Sequence, residues 1–168
     1  MPHKRLAYFT VSIIEYLFIT LFIYTGFSKL LDLDTFQFQT HRSPYLENIS
    51  SFVSYTIPTA ELLVVLAIVI SKFRNLPNEG RIFQWLRKNG TKLENLGLYG
   101  ALFLMALFTD YVRDMLNKSS YLPCSCGGIL SSMSWDTHLV FNSIFTTLAI
   151  AGIVLFKILA SAQPKLPN

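Results

Sequence analysis

Long apolar stretches separated by short polar segments dominate this sequence. Four of the stretches reach the roughly 20 residues that a helix needs to cross a hydrocarbon layer about 30 Å thick. The first exceeds the roughly 7–15 apolar residues of a signal-peptide core, so we expect it to be retained as a span. The pattern predicts an all-α membrane protein, a four-helix transmembrane bundle forming a single domain over residues 1–168, with spans at 6–31, 52–73, 96–115 and 138–160.

The composition agrees with a chain that lies mostly in a membrane. Only 14% of its residues are charged and 52% are hydrophobic, whereas a soluble domain has about 25% charged residues. This excludes a disordered segment and disfavours an ordinary cytosolic globule. The net charge of +4 alone would allow nucleic-acid binding. We predict no nucleic-acid partner, because the basic residues are distributed in the way that membrane topology requires.

The positions of Lys and Arg predict the orientation of the spans. Ten of the 14 lie near the N-terminus, between spans two and three, or at the C-terminal end. Cytoplasmic segments of membrane proteins carry the excess of Lys and Arg. Both termini are therefore expected in the cytoplasm, and the connections at about 32–51 and 117–137 are expected outside. Residues 81–87 are apolar on one side and basic on the other, which allows a short interfacial helix, with the role of a positive-inside anchor preferred.

Cys124 and Cys126 are the two cysteines of the chain, and they lie in an outward connection. On an oxidising side of a membrane a thiol pair is expected to be oxidised or to cycle. A disulfide across one intervening residue closes a very small ring with difficult geometry, which is typical of labile rather than structural disulfides. An inert pair and a metal site shared with a histidine remain alternatives, although zinc usually has two to four residues between its cysteines.

The residues that follow the cysteines form a second cluster of candidates. Trp135 suits a membrane interface, and Asp136 or Thr137 is expected to cap the fourth helix. His138 and Asn142 are four residues apart, so they share a helical face. A helix N-terminus and an imidazolium both favour the thiolate form of a nearby cysteine, so His138 is a candidate for activating one. The alternative is a structural histidine held by Asn142.

Ionisable residues inside the spans need partners, because an isolated charge is costly in a bilayer. We therefore expect Glu15, Glu61 and Asp110 to face the bundle interior. Either Lys29 or Arg113 is a suitable partner for Glu61 at the outer end. Glu15 lies deeper and either pairs with a basic residue or is protonated. For all three, structural pairing is preferred to a proton relay.

Several segments together resemble a known family over nearly the whole chain. Residues 22–31 with Phe36, and residues 57–63, are similar to the first two spans of the DoxX superfamily. Residues 124–128, followed by Trp135, His138, Phe141 and Asn142, resemble the MauE-type branch, as found in Bacteroidetes-like proteins. This resemblance implies a multi-pass protein of the bacterial inner membrane. MauE is associated with maturing methylamine dehydrogenase, whose small subunit is rich in disulfides, alongside a thioredoxin-like partner.

By this resemblance the chain is expected to be a thiol–disulfide redox component at the periplasmic face. The partner would be a thioredoxin-like or client protein, and quinone is the electron acceptor that the analogy suggests. Cys124 and Cys126 would exchange, His138 would tune thiolate formation and Asn142 would orient His138. The alternative is a non-catalytic subunit that anchors a larger membrane complex, so the sequence leaves open whether the chain is an enzyme. A transporter is a third interpretation, which no broken helix or inverted repeat supports.

Overall fold

The computed structural model describes residues 2–43, 46–75, 80–118 and 133–161, and these ranges are almost entirely helical. Single 3-10 turns at Glu47–Ile49 and Phe73–Asn75 flank the third helix. Four of the helices are long and apolar enough to cross a membrane, which confirms the predicted all-α class and the number of spans. The helices are α1 (Pro2–Leu31), α2 (Leu33–His41), α3 (Ser50–Lys72), α4 (Arg81–Lys118) and α5 (Trp135–Ser161).

The four long helices form a bundle in which each packs mainly against two others. α1 and α4 both contact α3 and α5, so helices that follow one another along the chain are neighbours in space. This is the simplest arrangement for helices joined by short connections. The short α2 packs on α3 and α1. We call the end where α1 ends and α3 begins the Lys29 end, and the opposite end the Glu15 end.

A stripe of buried side chains on α1 shows how the sequence specifies this packing. Its members recur at alternating intervals of three and four residues, the spacing that keeps one face of a helix against its neighbours. In the middle of the stripe, Phe18 and Phe22 share an apolar core with Ile68 of α3 and Met105 of α4. Charged members lie towards both ends. The stripe consists of Val11, Glu15, Phe18, Phe22, Thr25 and Lys29.

α4 differs most from the sequence-based prediction. The expectation of a separate interfacial helix at 81–87 is wrong, because one helix of 38 residues runs from Arg81 to Lys118. At 1.5 Å per residue this helix is about 57 Å long, well beyond a hydrocarbon layer of roughly 30 Å. Its basic first turns therefore extend past the predicted span at 96–115.

Contacts with the end of α3 explain why α4 continues through its polar segment. Arg74 donates a hydrogen bond to Glu94 of α4, and Lys72 Nζ lies 3.3 Å from the other carboxylate oxygen of Glu94. Gly90 leaves space for the Arg74 side chain, since a Cβ atom there would lie 2.8 Å from Arg74 Cδ. Lys72 also donates to Glu15 of α1. Glu15 therefore pairs with a basic residue, one of the two outcomes that the sequence allowed.

The close approach of α3 and α4 depends on Gly97. A Cβ atom at this position would lie 2.4 Å from Ile68 Cγ1 and 3.3 Å from the backbone nitrogen of Ile68. Ala favours a helix over Gly by roughly 1 kcal/mol. We nevertheless expect Gly97→Ala to lower the free energy of unfolding by about 1–3 kcal/mol, because overpacking forces the helices apart. Thermal unfolding of the detergent-solubilised protein measures this change.

Gly152→Ala is the matched control for Gly97→Ala. Its nearest neighbour would be Ile14 Cγ2 at 3.2 Å, so only a small movement of one side chain is needed and the loss of stability should be smaller. A Gly97→Ala protein as stable as the unsubstituted one would show that this contact does not set the distance between α3 and α4.

Candidate functional site

Lys29 and Glu61 form a buried ion pair that joins α1 to α3. Lys29 Nζ donates to Glu61 Oε1 at 2.6 Å, and both side chains are almost fully buried. The same Nζ lies 5.3 Å from the ring centroid of Phe108 on α4 and 5.9 Å from that of Phe36 on α2, where the negative ring faces attract a cation. Of the two partners that the sequence suggested for Glu61, Lys29 and Arg113, the structure has Lys29.

A cavity of about 400 Å³ adjoins this ion pair, and we call it the Lys29 cavity. Apolar and aromatic side chains make up most of its wall, and all five helices contribute. Its size and its few convergent polar groups are typical of small-molecule sites, which range over roughly 300–1,000 Å³. It is therefore the candidate functional site. The polar residues that line it are Thr25, Lys29, Thr40, Thr56, Glu61, Tyr111, His138 and Asn142.

The first turns of α5 bring His138 and Asn142 to the cavity. Both are buried and one helical turn apart, as their spacing predicted. Ser134 caps the helix, because its Oγ accepts a hydrogen bond from the Thr137 N–H at 3.3 Å and its carbonyl accepts one from the His138 N–H at 2.9 Å. The prediction of Asp136 or Thr137 as the cap is therefore wrong, since both lie within the first helical turn.

Three buried polar atoms around the cavity lack a hydrogen-bond partner within the described ranges. They are Thr25 Oγ1, Glu61 Oε2 and Asn142 Nδ2. The Thr25 hydroxyl is a near neighbour of the Glu61 carboxylate, but the two groups do not have the geometry of a hydrogen bond. A buried polar group without a partner costs roughly 1–3 kcal/mol. Such atoms at the wall of a cavity point to an occupant with matching polar groups.

Two other residues selected from the sequence lie away from the cavity. Asp110 is exposed on α4, so the expectation that it faces the bundle interior is wrong. The physical reason is helical phase, because Val112 and Met115 mark the buried face of α4 in this region. Trp135 is half-buried as the first residue of α5 and does not line the cavity.

Cys124 and Cys126 lie outside the residues that the structure describes. The redox, inert and metal-binding alternatives for them therefore remain predictions. In the described part of the chain, no three His, Cys, Asp or Glu side chains are grouped closely enough to hold a metal ion. His41, one of the histidines considered for such a site, has its Nδ1 3.3 Å from the carbonyl oxygen of Glu47.

Some residues of the site were not predicted from the sequence. Thr25 lies one helical turn before Lys29, so it could have been found from its position on the same face of α1. Phe108 lies in an apolar span that gives no signal of its contact with an ammonium group. Glu94, the partner of Lys72 and Arg74, belongs to the other end of the bundle and lies outside the predicted span, so the rule for ionisable residues inside spans does not apply to it.

The four apolar helices, with charged groups paired inside the bundle, define a multi-pass membrane protein. The chain belongs to the family described as methylamine utilisation protein MauE, which matches residues 7–155. This match covers most of the chain and confirms the resemblance to MauE. No curated protein and no solved structure gives a significant match to the sequence.

The ion pair makes a quantitative prediction about stability. Glu61→Gln leaves the Lys29 ammonium buried without a counter-charge, so we expect a loss of roughly 3–5 kcal/mol in the free energy of unfolding. Glu47→Gln, at an exposed position of the same end, should change it by less than about 0.5 kcal/mol. Chemical unfolding in mixed micelles measures both variants.

The double variant Lys29→Met with Glu61→Leu tests whether the charge, rather than the packing, causes the loss. We expect it to recover most of the stability, because no uncompensated charge remains. If the double variant is less stable than Glu61→Gln alone, the ion pair is not the main interaction at this position.

Proposed function

We propose that this protein is a thiol–disulfide redox component of the bacterial inner membrane that acts at the periplasmic face with a thioredoxin-like or client protein. Cys124 and Cys126 are the exchanging pair, His138 accepts and returns the thiol proton, and Asn142 orients His138. The observation that carries the proposal is the burial of His138 and Asn142 in a cavity at the start of α5, which follows the cysteine segment in the sequence.

The connectivity of the chain supports this assignment. The end of α4 and the start of α5 both belong to the Lys29 end, since Phe108 and His138 line the same cavity. Cys126 precedes Met133 by seven residues, and a fully extended chain spans at most about 3.6 Å per residue. The tether therefore limits Cys126 to about 25 Å from Met133, which lies two residues before α5 begins. Unpaired N–H groups at a helix N-terminus favour a nearby thiolate.

The exchange reaction needs a thiolate and a proton acceptor. To reduce a partner, the thiolate of one cysteine attacks the partner's disulfide and forms a mixed disulfide. The partner's other sulfur leaves as a thiolate and takes up a proton. The second cysteine then attacks the mixed disulfide. This closes the Cys124–Cys126 disulfide and releases the partner as a dithiol, so two electrons have moved to the partner. The reverse sequence oxidises the partner.

The proposal also includes the orientation of the protein in the membrane, its branch of the family and its client. The distribution of Lys and Arg supports cytoplasmic termini, with the Lys29 end outside. We further propose that the chain is a DoxX-like protein of the Bacteroidetes-like branch. The family description suggests a role in methylamine utilisation, where a disulfide-rich dehydrogenase subunit would be a suitable client.

The redox state of the cysteines in native membranes tests the proposed function. Cells are acid-quenched, and thiols are labelled with a maleimide polymer with and without prior reduction. We expect a disulfide that mild reductant opens readily. In either Cys124→Ser or Cys126→Ser, the remaining cysteine should trap a thioredoxin-like partner as a mixed disulfide that reductant releases.

The variant with both cysteines replaced by Ser is the control, because it has no thiol left to form a mixed disulfide. Two permanently free thiols with no trapped partner would contradict the redox function. The protein would then be better described as a non-catalytic subunit of a membrane complex, and that function requires only that the spans remain intact.

His138 gives a separate prediction about thiol reactivity. In the reduced protein we expect His138→Gln to slow alkylation of the reactive cysteine about tenfold at pH 7, which corresponds to ~1.4 kcal/mol. At pH 10 the thiol ionises without help, so the two rates should converge. His41→Gln, an exposed histidine at the same end, is the control. Equal rates for His138→Gln and the unsubstituted protein at pH 7 would remove His138 from the mechanism.

A further inference from the structure

The charges beside the Lys29 cavity are already balanced. Lys29 and Glu61 neutralise each other at 2.6 Å, so a charged ligand would bring an uncompensated charge into an apolar interior. The atoms available to a ligand are the donor Asn142 Nδ2, the acceptor Glu61 Oε2, and the Thr25 hydroxyl, which can do either. A molecule that satisfies them is uncharged and carries oxygen atoms that accept, and in one form also donate, hydrogen bonds.

The wall of the cavity favours a flat ring. Aromatic side chains approach it from α1, α2, α4 and α5, and rings pack well against the edges and faces of other rings. An unbranched acyl chain would contact the apolar wall but could not make ring–ring contacts with the aromatic side chains. The aromatic lining residues of these helices are Phe22, Phe36, Phe103, Phe108, Tyr111 and Phe141.

Some of the side chains that line the cavity are also exposed on the side of the bundle. They include Ile49, just before α3, and Phe52 in the first turn of α3. Phe103 and Leu107 of α4 are exposed in the same way. The exposure of these four apolar side chains points to an opening of the cavity between α3 and α4. In a membrane this opening faces lipid, so a ligand that enters there is lipophilic.

We propose that the Lys29 cavity binds the head group of an uncharged lipophilic molecule with ring carbonyl or hydroxyl oxygens, the chemistry shared by quinones and quinols. In the oxidised form, the carbonyl oxygens accept hydrogen bonds from Asn142 Nδ2 and Thr25 Oγ1. In the reduced form, a hydroxyl group donates to Glu61 Oε2. The carbonyl oxygen of Asn142 keeps its proposed role of orienting His138.

One part of this inference rests on the proposed function, namely that the bound molecule is the electron acceptor. Oxidation of the Cys124–Cys126 dithiol to a disulfide releases two electrons and two protons. A quinone takes up the two electrons and the two protons and becomes a quinol, so the reaction needs no further reactant. The binding itself requires neither cysteine.

A binding experiment with the purified full-length chain in detergent tests the proposal. The probe is a short-chain ubiquinone analogue, and saturable binding should raise the midpoint of thermal unfolding. Asn142→Leu should weaken binding about three- to tenfold, the factor expected for one hydrogen bond. Because the variant also removes the carbonyl oxygen that orients His138, its unfolding midpoint without quinone is measured first, and binding is judged from the shift that quinone adds to it. Thr147→Leu, at an exposed position of α5, is the matched control and should bind normally.

Three results would overturn the proposal. These are no stabilisation by the quinone, equal binding by Asn142→Leu, and equal stabilisation by diacylglycerol, which has carbonyl and hydroxyl groups but no ring. The variant with both cysteines replaced by Ser separates this proposal from the proposed function. Binding retained in that variant supports the cavity even if the cysteines prove inert, whereas a trapped mixed disulfide without quinone binding contradicts the cavity proposal alone.

Discussion

The ion pair between Lys29 and Glu61 lies inside a bundle whose outer surface is apolar over four long helices. In lipid neither group has water available, and a charged side chain in mid-bilayer costs at least roughly 2.5–3.5 kcal/mol. α1 and α3 therefore have to keep the register in which the two groups meet. Phe36 and Phe108 face the same ammonium from α2 and α4, so a single cation constrains the relative positions of four helices.

The Glu15 end meets the same constraint with a different arrangement. Lys72 interacts with both Glu15 and Glu94, and Arg74 pairs with Glu94. The two cations there remain partly exposed, whereas the two carboxylates are buried. Charge at this end is therefore shared in a network close to the bundle surface. At the Lys29 end the pairing is one to one and deeply buried, and the residues beside it leave a cavity instead of a packed core.

Much of this arrangement follows from the sequence, because hydrophobic length specifies spans and a buried carboxylate requires a partner. The four spans and the pairing of Glu61 with a basic residue are of this kind, whereas the choice of Lys29 over Arg113 came from the structure. The continuity of α4 does not follow from the sequence, because it depends on contacts of Glu94 and Gly90 with Arg74, which lies in a different segment of the chain. Asp110 shows the limit of reasoning from residue type, because its burial depends on a helical phase that the sequence of one span defines poorly. Thr25 lies one helical turn before Lys29 on the same face of α1, so its spacing in the sequence was a usable signal.

The position of the apolar core decides between the kinds of chemistry that buried carboxylates allow. Glu15 and Glu61 lie on the buried faces of neighbouring helices, but Phe18, Phe22, Ile68 and Met105 form a continuous apolar cluster in the middle of the bundle. A proton or ion moving between the two carboxylates would have to cross this cluster. Transport through the described core is therefore disfavoured, and chemistry confined to one end is favoured. Among the described residues, the Lys29 end brings together a buried histidine, a partnerless amide N–H and exposed apolar cavity walls. The connection that carries both cysteines joins two helices at this end, so the proposed thiol chemistry and a lipophilic electron acceptor would meet there.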